Sequence, residues 1–397
     1  MKIAFVDGTI ITGDRKVIEH GTVIVEGNRI TKVGENGSMI PSDARMIPLE
    51  GRTLLPGFID CHVHLCTDGS PDPLRVMLSE PQTITALKAA NFAKQTLMGG
   101  ITTVRDLGGK DGIDLGIKQA IQSGLIQGPR MLVSAQMICM TGGHGWQFGR
   151  EANGPDEVRK AAREQIKKGA DIVKFMATGG VLTPSVEPGS EQLTEEELRA
   201  GIEEAHKAGK KTATHAMGTK GILNALRAGI DSIEHGVYLN EEAAAMMAER
   251  HIPFIPTLSA LFNIEIKGIE SGIPPFAVEK TIKVKPHHLQ SIRIAKEKGV
   301  IIAMGTDAGT PFNLHGENLG ELKLLVGQGF TPLEAIESGT RIAAGVLGLD
   351  HELGTIEEGK LADLIVVEGN PLEDIGVLLD KKAITLIMQD GKLVKGA

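Results

Sequence analysis

The sequence predicts an α/β protein, a (β/α)8 TIM barrel with a small β-sandwich domain formed from both chain ends. Three observations predict it. Eight short apolar runs alternate with amphipathic helical stretches between residues 55 and 352, the rhythm of a parallel sheet wrapped in helices. Polar residues able to carry chemistry stand near the C-terminal ends of several of those runs, where barrel enzymes place catalytic groups. The two chain ends share a short-strand rhythm and a VEGN tetrapeptide.

Residues 1–54 read as strands and turns: KIAFVDGTIITGD, then TVIVEGNRITKVGE, then ARMIPLEGRTLLPG running on to residue 57. Alternating apolar residues broken by Gly, Asn and Asp are strand and turn signals. Residues 353–397 repeat the pattern in GKLADLIVVEGNPLED and ITLIMQDGKLVKGA. Neither end alone has enough apolar surface for a core, so one domain assembled from both is expected, the termini lying close together.

Between them the strand candidates are GFIDCHVHL (57–65), TTVRDLGG (102–109), RMLVSAQMI (130–138), DIVKFMA (171–177), KTATHAM (211–217), SIEHG (232–236), PFIPTLSA (253–260) and VIIAMGTDA (300–308). PDEVRKAAREQIKKGA and TEEELRAGIEEAHKAGK open on Asp, Thr or Glu and close near Gly, as capped helices do. A doubly wound open sheet is the alternative, but it gathers ligands at one switch-point crevice. Polar residues at the ends of many strands favour the barrel, here residues 55–352.

Composition narrows the function classes. A net charge of -8 gives no general attraction to phosphate backbones or anionic lipid, so neither nucleic acid nor membrane is an expected partner. MKIAFVDGTIITGD carries no secretory pattern and no apolar run reaches spanning length, which predicts a cytoplasmic protein. The three cysteines, Cys61, Cys66 and Cys139, match neither a zinc knuckle nor a disulfide framework. Packing is their expected role. The partner implied is a small molecule or dipeptide, with a homo-oligomer possible.

His62 and His64 stand two apart on a strand, so both imidazoles point to one face. In a barrel that face is the interior. Lys174, in the apolar run DIVKFMA, is carried inward too, and a buried unpaired ammonium is expensive. Either a carboxylate pairs with it, or burial lowers its pKa and the neutral amine takes up carbon dioxide as a carbamate, an anion able to bridge two cations. His215 and His235 end the next two strands and Asp307 ends the eighth. Singly each could be a satisfied core residue. Six such groups on five strand ends point instead to a metal site.

With these residues in place, the chain resembles the amidohydrolase superfamily over essentially its whole length. LPGFIDCHVH looks like that family's strand-one signature and GTDAG like its strand-eight signature. Within the superfamily MTGGHG (140–145), KFMATGGVLTP (174–184), THAMG (214–218) and IEHG (233–236) are similar to imidazolonepropionase-like proteins and amidohydrolase-type Xaa-Pro dipeptidases. The resemblance implies two divalent ions, with zinc expected. His62, His64 and Asp307 would hold the first, His215 and His235 the second, and a carboxylated Lys174 would bridge them.

The expected reaction is hydrolysis of an amide bond, in a dipeptide of Xaa-Pro or similar type or an N-acyl amino acid, by a hydroxide shared between the metals. Asp307 is the expected proton shuttle, and His144 in GGHGW the expected donor to the carbonyl oxygen or oxyanion. Tyr238, the chain's only tyrosine, is the candidate for a substrate carboxylate. Trp146 and Phe148 are candidates for an apolar wall, and the Gly- and Pro-rich loop 178–192 for shaping the pocket. Alternatives are hydrolysis of a carbamate, urea, other non-peptide amide or lactam ring, a one-metal deaminase, or a non-catalytic scaffold. Superfamily deaminases usually carry a Glu three residues after the strand-five histidine. Gly218 stands there in this chain.

Overall fold

A computed structural model describes residues 2–35 and 40–396. Of the predicted terminal segments, residues 1, 36–39 and 397 lie outside the described residues. The N-terminal stretch supplies β1 (Lys2–Ile11), β2 (Val17–Glu26), β3 (Arg29–Glu35), β4 (Arg45–Pro48) and β5 (Thr53–Pro56). The middle of the chain supplies β6 (Phe58–Val63), β7 (Ile101–Asp106), β8 (Arg130–Val133), β9 (Ile138–Cys139), β10 (Arg150–Glu151) and β11 (Ile172–Met176). β12 (Lys211–Ala216), β13 (Ile233–His235) and β14 (Phe254–Ile255) follow, and β15 (Leu364–Val367), β16 (Ile384–Gln389) and β17 (Lys392–Lys395) close the chain.

The chain divides into two compact units. One comprises Met1–Asp60, Gln95–Thr103 and Gly316–Ala397, the other Cys61–Lys94 and Val104–His315.

In the first unit both chain ends share one mixed sheet in the order β17-β16-β15-β5-β1-β2-β3, with β4 paired to β1. Two-residue alternation explains how this sheet buries both faces of β1. Ile3 and Phe5 join Val23, Val25, Leu54, Leu364, Val366 and Leu386 in one cluster, while Ala4 and Val6 pack with Ile24 in another. The ends meet where β15 runs antiparallel to β5, with Ile365 opposite Leu55 and Val366 opposite Leu54. Where the sequence predicts a sandwich, the pairing forms one continuous eight-stranded sheet.

The second unit carries the predicted βα alternation. Its six-stranded sheet has the order β10-β9-β11-β12-β13-β14, and the pairs from β11 to β14 are parallel. The order β6-β7-β8 makes a separate three-stranded sheet. Backbone bonds continue between these ladders, from Asp171 N to Val133 O at 2.8 Å and from Ala303 N to Phe254 O at 3.0 Å. Another runs from Cys61 N to Met304 O at 3.1 Å.

The helices form for local reasons. Thr194 and Glu197 make a reciprocal capping box at the start of Glu195–Lys207, which satisfies two orphan backbone donors. Gly154–Lys168 has Asp156 and Glu157 in its first turn, Lys167 and Lys168 in its last, and Gly169 at φ 101 as its stop, so charge and cap both fit the helix dipole. No helix among the described residues is long and apolar enough to cross a membrane.

The strand expectations need three corrections. Residues 300–308 form no regular strand: only the bridges Phe254↔Ile302 and Val63↔Ala308 are made. Asp307 adopts φ 59, and the amides of Thr306 and Asp307 both turn to the His62 carbonyl, so the ladder breaks where the carboxylate is presented. The run 253–260 is extended only at Phe254–Ile255, because Thr257 at φ 51 starts the helix Leu258–Lys267. Ala135, at φ 60, splits the run 130–138 into β8 and β9.

Candidate metal and active site

His62, His64, Lys174, His215, His235 and Asp307, with His144, line one cavity in the second unit. Its empty space is about 790 Å³ including the open mouth. His62 and His64 leave the end of β6 on one face, their rings 5.2 Å apart. His215 and His235 come from the ends of β12 and β13, with ring centres at 4.5 Å, and the His62 ring lies 5.0 Å from that of His235. Among the described residues His62, His235 and Asp307 each offer a ligand atom, all within 4.8 Å of one another.

Hydrogen bonds fix how each imidazole presents itself. His64 Nδ1 donates to the Gly108 carbonyl at 2.9 Å and His215 Nε2 to the Gly179 carbonyl at 3.1 Å. His62 Nδ1 donates to the Glu234 carboxylate at 2.9 Å. His235 Nδ1 lies 2.7 Å from Thr257 Oγ1, and that hydroxyl spends its own proton on the Pro256 carbonyl, so it accepts from the ring. In all four rings one nitrogen is committed as a donor, and the other is left to carry a lone pair, the arrangement outer partners impose on metal-binding histidines.

Electrostatics agree with that donor set. Burial lowers the pKa of His62, His215 and His235 well below the ordinary value, so these rings are neutral and able to donate electron pairs. The Nε2 atoms of His62 and His64 face Asp307 Oδ1 at 3.5 and 3.3 Å. Burial alone would raise the Asp307 pKa, but His62, His64 and Lys174 outweigh it and hold the group at about 2. For His64 burial is opposed by Asp307, and its pKa is raised. Nitrogens opposed to a carboxylate need a cation between them. A proton can serve, and so can a divalent ion, so the residues present fit a metal.

Lys174, from the middle of β11, is 1% exposed. Burial lowers its pKa to about 8 against the opposing pull of Glu234 and Asp307. Roughly a tenth of such amines are neutral at pH 7.

His235, Thr257 and Asp307 all have positive φ, at 68, 51 and 59. Each such residue costs about 1–3 kcal/mol and persists only where its surroundings over-determine it. All three meet at the histidine cluster, one as the hydrogen-bond acceptor of another.

His144 sits 4.4 Å from His215, ring to ring. Its Nδ1 is 2.8 Å from Thr183 Oγ1, and burial pushes its pKa down to about 4, so the ring is neutral. Gly180 makes room for it, because a Cβ there would stand 2.3 Å from His144 Nε2. Lys280 Nζ holds the same loop by donating to the carbonyls of Thr183, at 2.7 Å, and Val186, at 2.5 Å.

Tyr238 is not among the described residues lining the cavity. It packs in a cluster with Val181, Met217, Leu261 and Ile264, which do line it, and its ring lies 4.9 Å from that of His287. Phe148 lines the cavity, edge-on to His64 at 5.8 Å, whereas Trp146 does not. Gly218 is tightly covered: a Cβ on it would approach the Gly189 carbonyl oxygen to 1.9 Å. A glutamate at that position would displace loop 178–192.

Sequence reasoning missed the buried charges behind the histidine cluster. Arg105 donates to Glu234 Oε1 at 2.7 Å and to Ser232 Oγ at 3.0 Å, while Glu234 Oε2 receives His62. Both partners are nearly inaccessible, at 2% and 0%. Asp106 accepts from the amides of Leu65 and Gly108 at 3.0 and 3.1 Å, which fixes the carbonyl that orients His64. Each charge is visible singly, since Arg105 interrupts TTVRD as Lys174 interrupts DIVKF and Glu234 precedes His235, but nothing local pairs the two. Arg105→Met should destabilise the protein by about 3–5 kcal/mol, because it strands the buried Glu234 charge. Urea unfolding checks this, and an unchanged midpoint would show that Glu234 does not depend on Arg105.

Comparison with known proteins agrees with this geometry. The Amidohydrolase family matches residues 53–394. Ochratoxinase of Aspergillus niger is 32% identical over 421 aligned positions, covering 98% of this chain and 86% of that protein. The crystal structure of a prolidase complexed with N-methylphosphonate-L-proline is 34% identical with a TM-score of 0.92, both chains covered in full. That of a Xaa-Pro dipeptidase with methionine bound in its active site is 35% identical with a TM-score of 0.91, again over the whole of both chains.

Proposed function

Because the chain belongs to the amidohydrolase family and is a hydrolase acting on carbon–nitrogen bonds, we propose that it is a binuclear zinc enzyme. Its reaction on this reading is cleavage of the amide bond of a dipeptide, of Xaa-Pro type or with another C-terminal residue, or of an N-acyl amino acid. The observation that carries the proposal is the set of four histidines, each with one ring nitrogen committed outward, around Asp307 and a buried lysine. A one-metal deaminase fits less well, since Gly218 has no room for a carboxylate.

On this reading His62, His64 and Asp307 would hold one ion and His215 and His235 the other, with Lys174, as a carbamate, the residue that would serve both. When bound, two divalent ions supply positive charge that polarises the amide carbonyl and acidifies a water. Asp307 would take the proton of the attacking water and return it to the leaving amine, and its low pKa keeps it ionised beforehand. His144, its Nδ1 accepting from Thr183, donates from Nε2 to the carbonyl oxygen as charge builds there. Tyr238, packed against Val181, Met217, Leu261 and Ile264 of the cavity lining, is assigned to a substrate carboxylate. For the fold, the same reading closes the parallel ladders into a (β/α)8 barrel over residues 55–352 and makes residues 1–54 and 353–397 one β-sandwich domain. The bridges at Ile302 and Ala308 support closure.

Zinc-loaded protein screened against dipeptides and N-acyl amino acids tests the proposal, with metal analysis beside it. About two metals per chain and cleavage of Xaa-Pro dipeptides are expected. Fewer than about one metal per chain, or turnover confined to amino-heterocycle deamination, would overturn it.

A further inference from the structure

We propose that the enzyme has a second, outer subsite, built around Trp146, that takes a large neutral apolar acyl group on the substrate. The inference rests on the amide-hydrolase reading of the inner cavity.

Leu74 and Leu182 line the metal-site cavity and also an adjoining groove. The groove therefore adjoins the cavity that holds the histidine cluster, with Leu74 and Leu182 common to both. Its other apolar walls are Leu78, Trp146, Pro184 and Phe276. Leu78 is 48% exposed and Trp146 46%. Large apolar side chains gathered on an exposed concave surface mark a binding site more often than chance exposure.

One loop serves both compartments. Gly145, at φ 78, turns the chain just before the two aromatic residues of this loop. Phe148 turns inward against His64 and is 8% exposed, while Trp146 faces the groove. Backbone bonds from Trp146 N to Gly143 O and from Phe148 N to Gly145 O, both 3.2 Å, set this division.

Charge selects the occupant. The groove's charged lining residues, Asp72 and Arg75, pair with each other at 3.3 Å, and Asp72 also caps the helix Pro73–Ser79 through the Arg75 amide. Apart from that pair and the neutral polar side chains of Ser79 and Gln147, the walls offered to a ligand are apolar, and burying an ionised group against them is costly. An amino-acid leaving group carries a carboxylate, which these mostly apolar walls disfavour. The acyl side of the scissile amide, which bears no charge in an N-acyl amino acid, extends outward into the groove.

Trp146 is the only tryptophan in the chain, so its fluorescence reports this subsite alone. Chelator-treated full-length protein titrated with N-(4-phenylbutyryl)-L-proline should show a saturable blue shift and loss of acrylamide quenching, and N-acetyl-L-proline should give neither. With metal-loaded enzyme, Trp146→Ala should lower the ratio of kcat/KM for the phenylbutyryl over the acetyl substrate roughly tenfold, as expected for the loss of one large apolar contact. Absence of an emission change with the phenylbutyryl ligand, or an unchanged ratio in the variant, would overturn the outer subsite. Failure of the metal-loaded enzyme to cleave either compound counts against amide hydrolysis instead. In that event the emission change still decides the subsite.

Discussion

Asp307→Asn is expected to lower kcat by on the order of 10²–10⁴-fold, the usual worth of a positioned general acid–base, while the protein keeps at least one metal per chain. The amide preserves the shape of the side chain and one donor oxygen but can neither hold the charge nor carry the proton. Asp307 is placed to do both: it faces two imidazoles at 3.3 and 3.5 Å, and its pKa of about 2 keeps it ionised across the working range. Since the acid form is populated only near or below that value, loss of its basic form should not limit activity until the pH falls far into the acid. Rate and metal content measured on the same preparation check the assignment. An unchanged kcat would remove the proton shuttle.

Lys174→Ala is expected to abolish measurable turnover, a loss on the order of 10³-fold or more if it removes an anion that both ions share. Bound metal should fall from about two per chain toward one. Short carboxylic acids such as acetate or propionate should restore part of the rate, because a free carboxylate fits the space left by the side chain and supplies the same two oxygens. The neutral amine that a carbamate requires is favoured by burial, which brings the pKa to about 8. A plain ion pair predicts something else. If Lys174 only balanced Glu234 and Asp307, alanine would lower stability without stoichiometric metal loss and acids would not rescue it. Full activity in the variant would exclude the bridge outright.

The βα alternation of the middle of the chain was legible in the sequence, as were the shared strand rhythm of its ends and the four histidines at the ends of β6, β12 and β13. Each depends on local periodicity, and periodicity survives in a one-dimensional string. DCHVHL sends His62 and His64 to the same face because side chains alternate along any strand. TEEEL starts a helix because Thr194 and Glu197 satisfy each other's backbone three residues apart.

Features that depend on distant residues or on a change of backbone sign were not legible. Asp307, Thr257 and His235 are pinned in the left-handed region by their surroundings, so runs that read as continuous strands break at the site. The bond from Arg105 to Glu234 spans 129 positions, and no local pattern announces it. Tyr238 is three residues beyond His235 in sequence, yet it packs against residues of the cavity lining without being among them. By itself the sequence determined that His62, His64, Lys174, His215, His235 and Asp307 fall near the ends of βα units, the positions from which they meet in one cavity. Only the tertiary structure decided which nitrogen each histidine turns inward, and that two aromatic residues of one loop face different compartments, because hydrogen-bond partners and packing neighbours are supplied by segments far away along the chain.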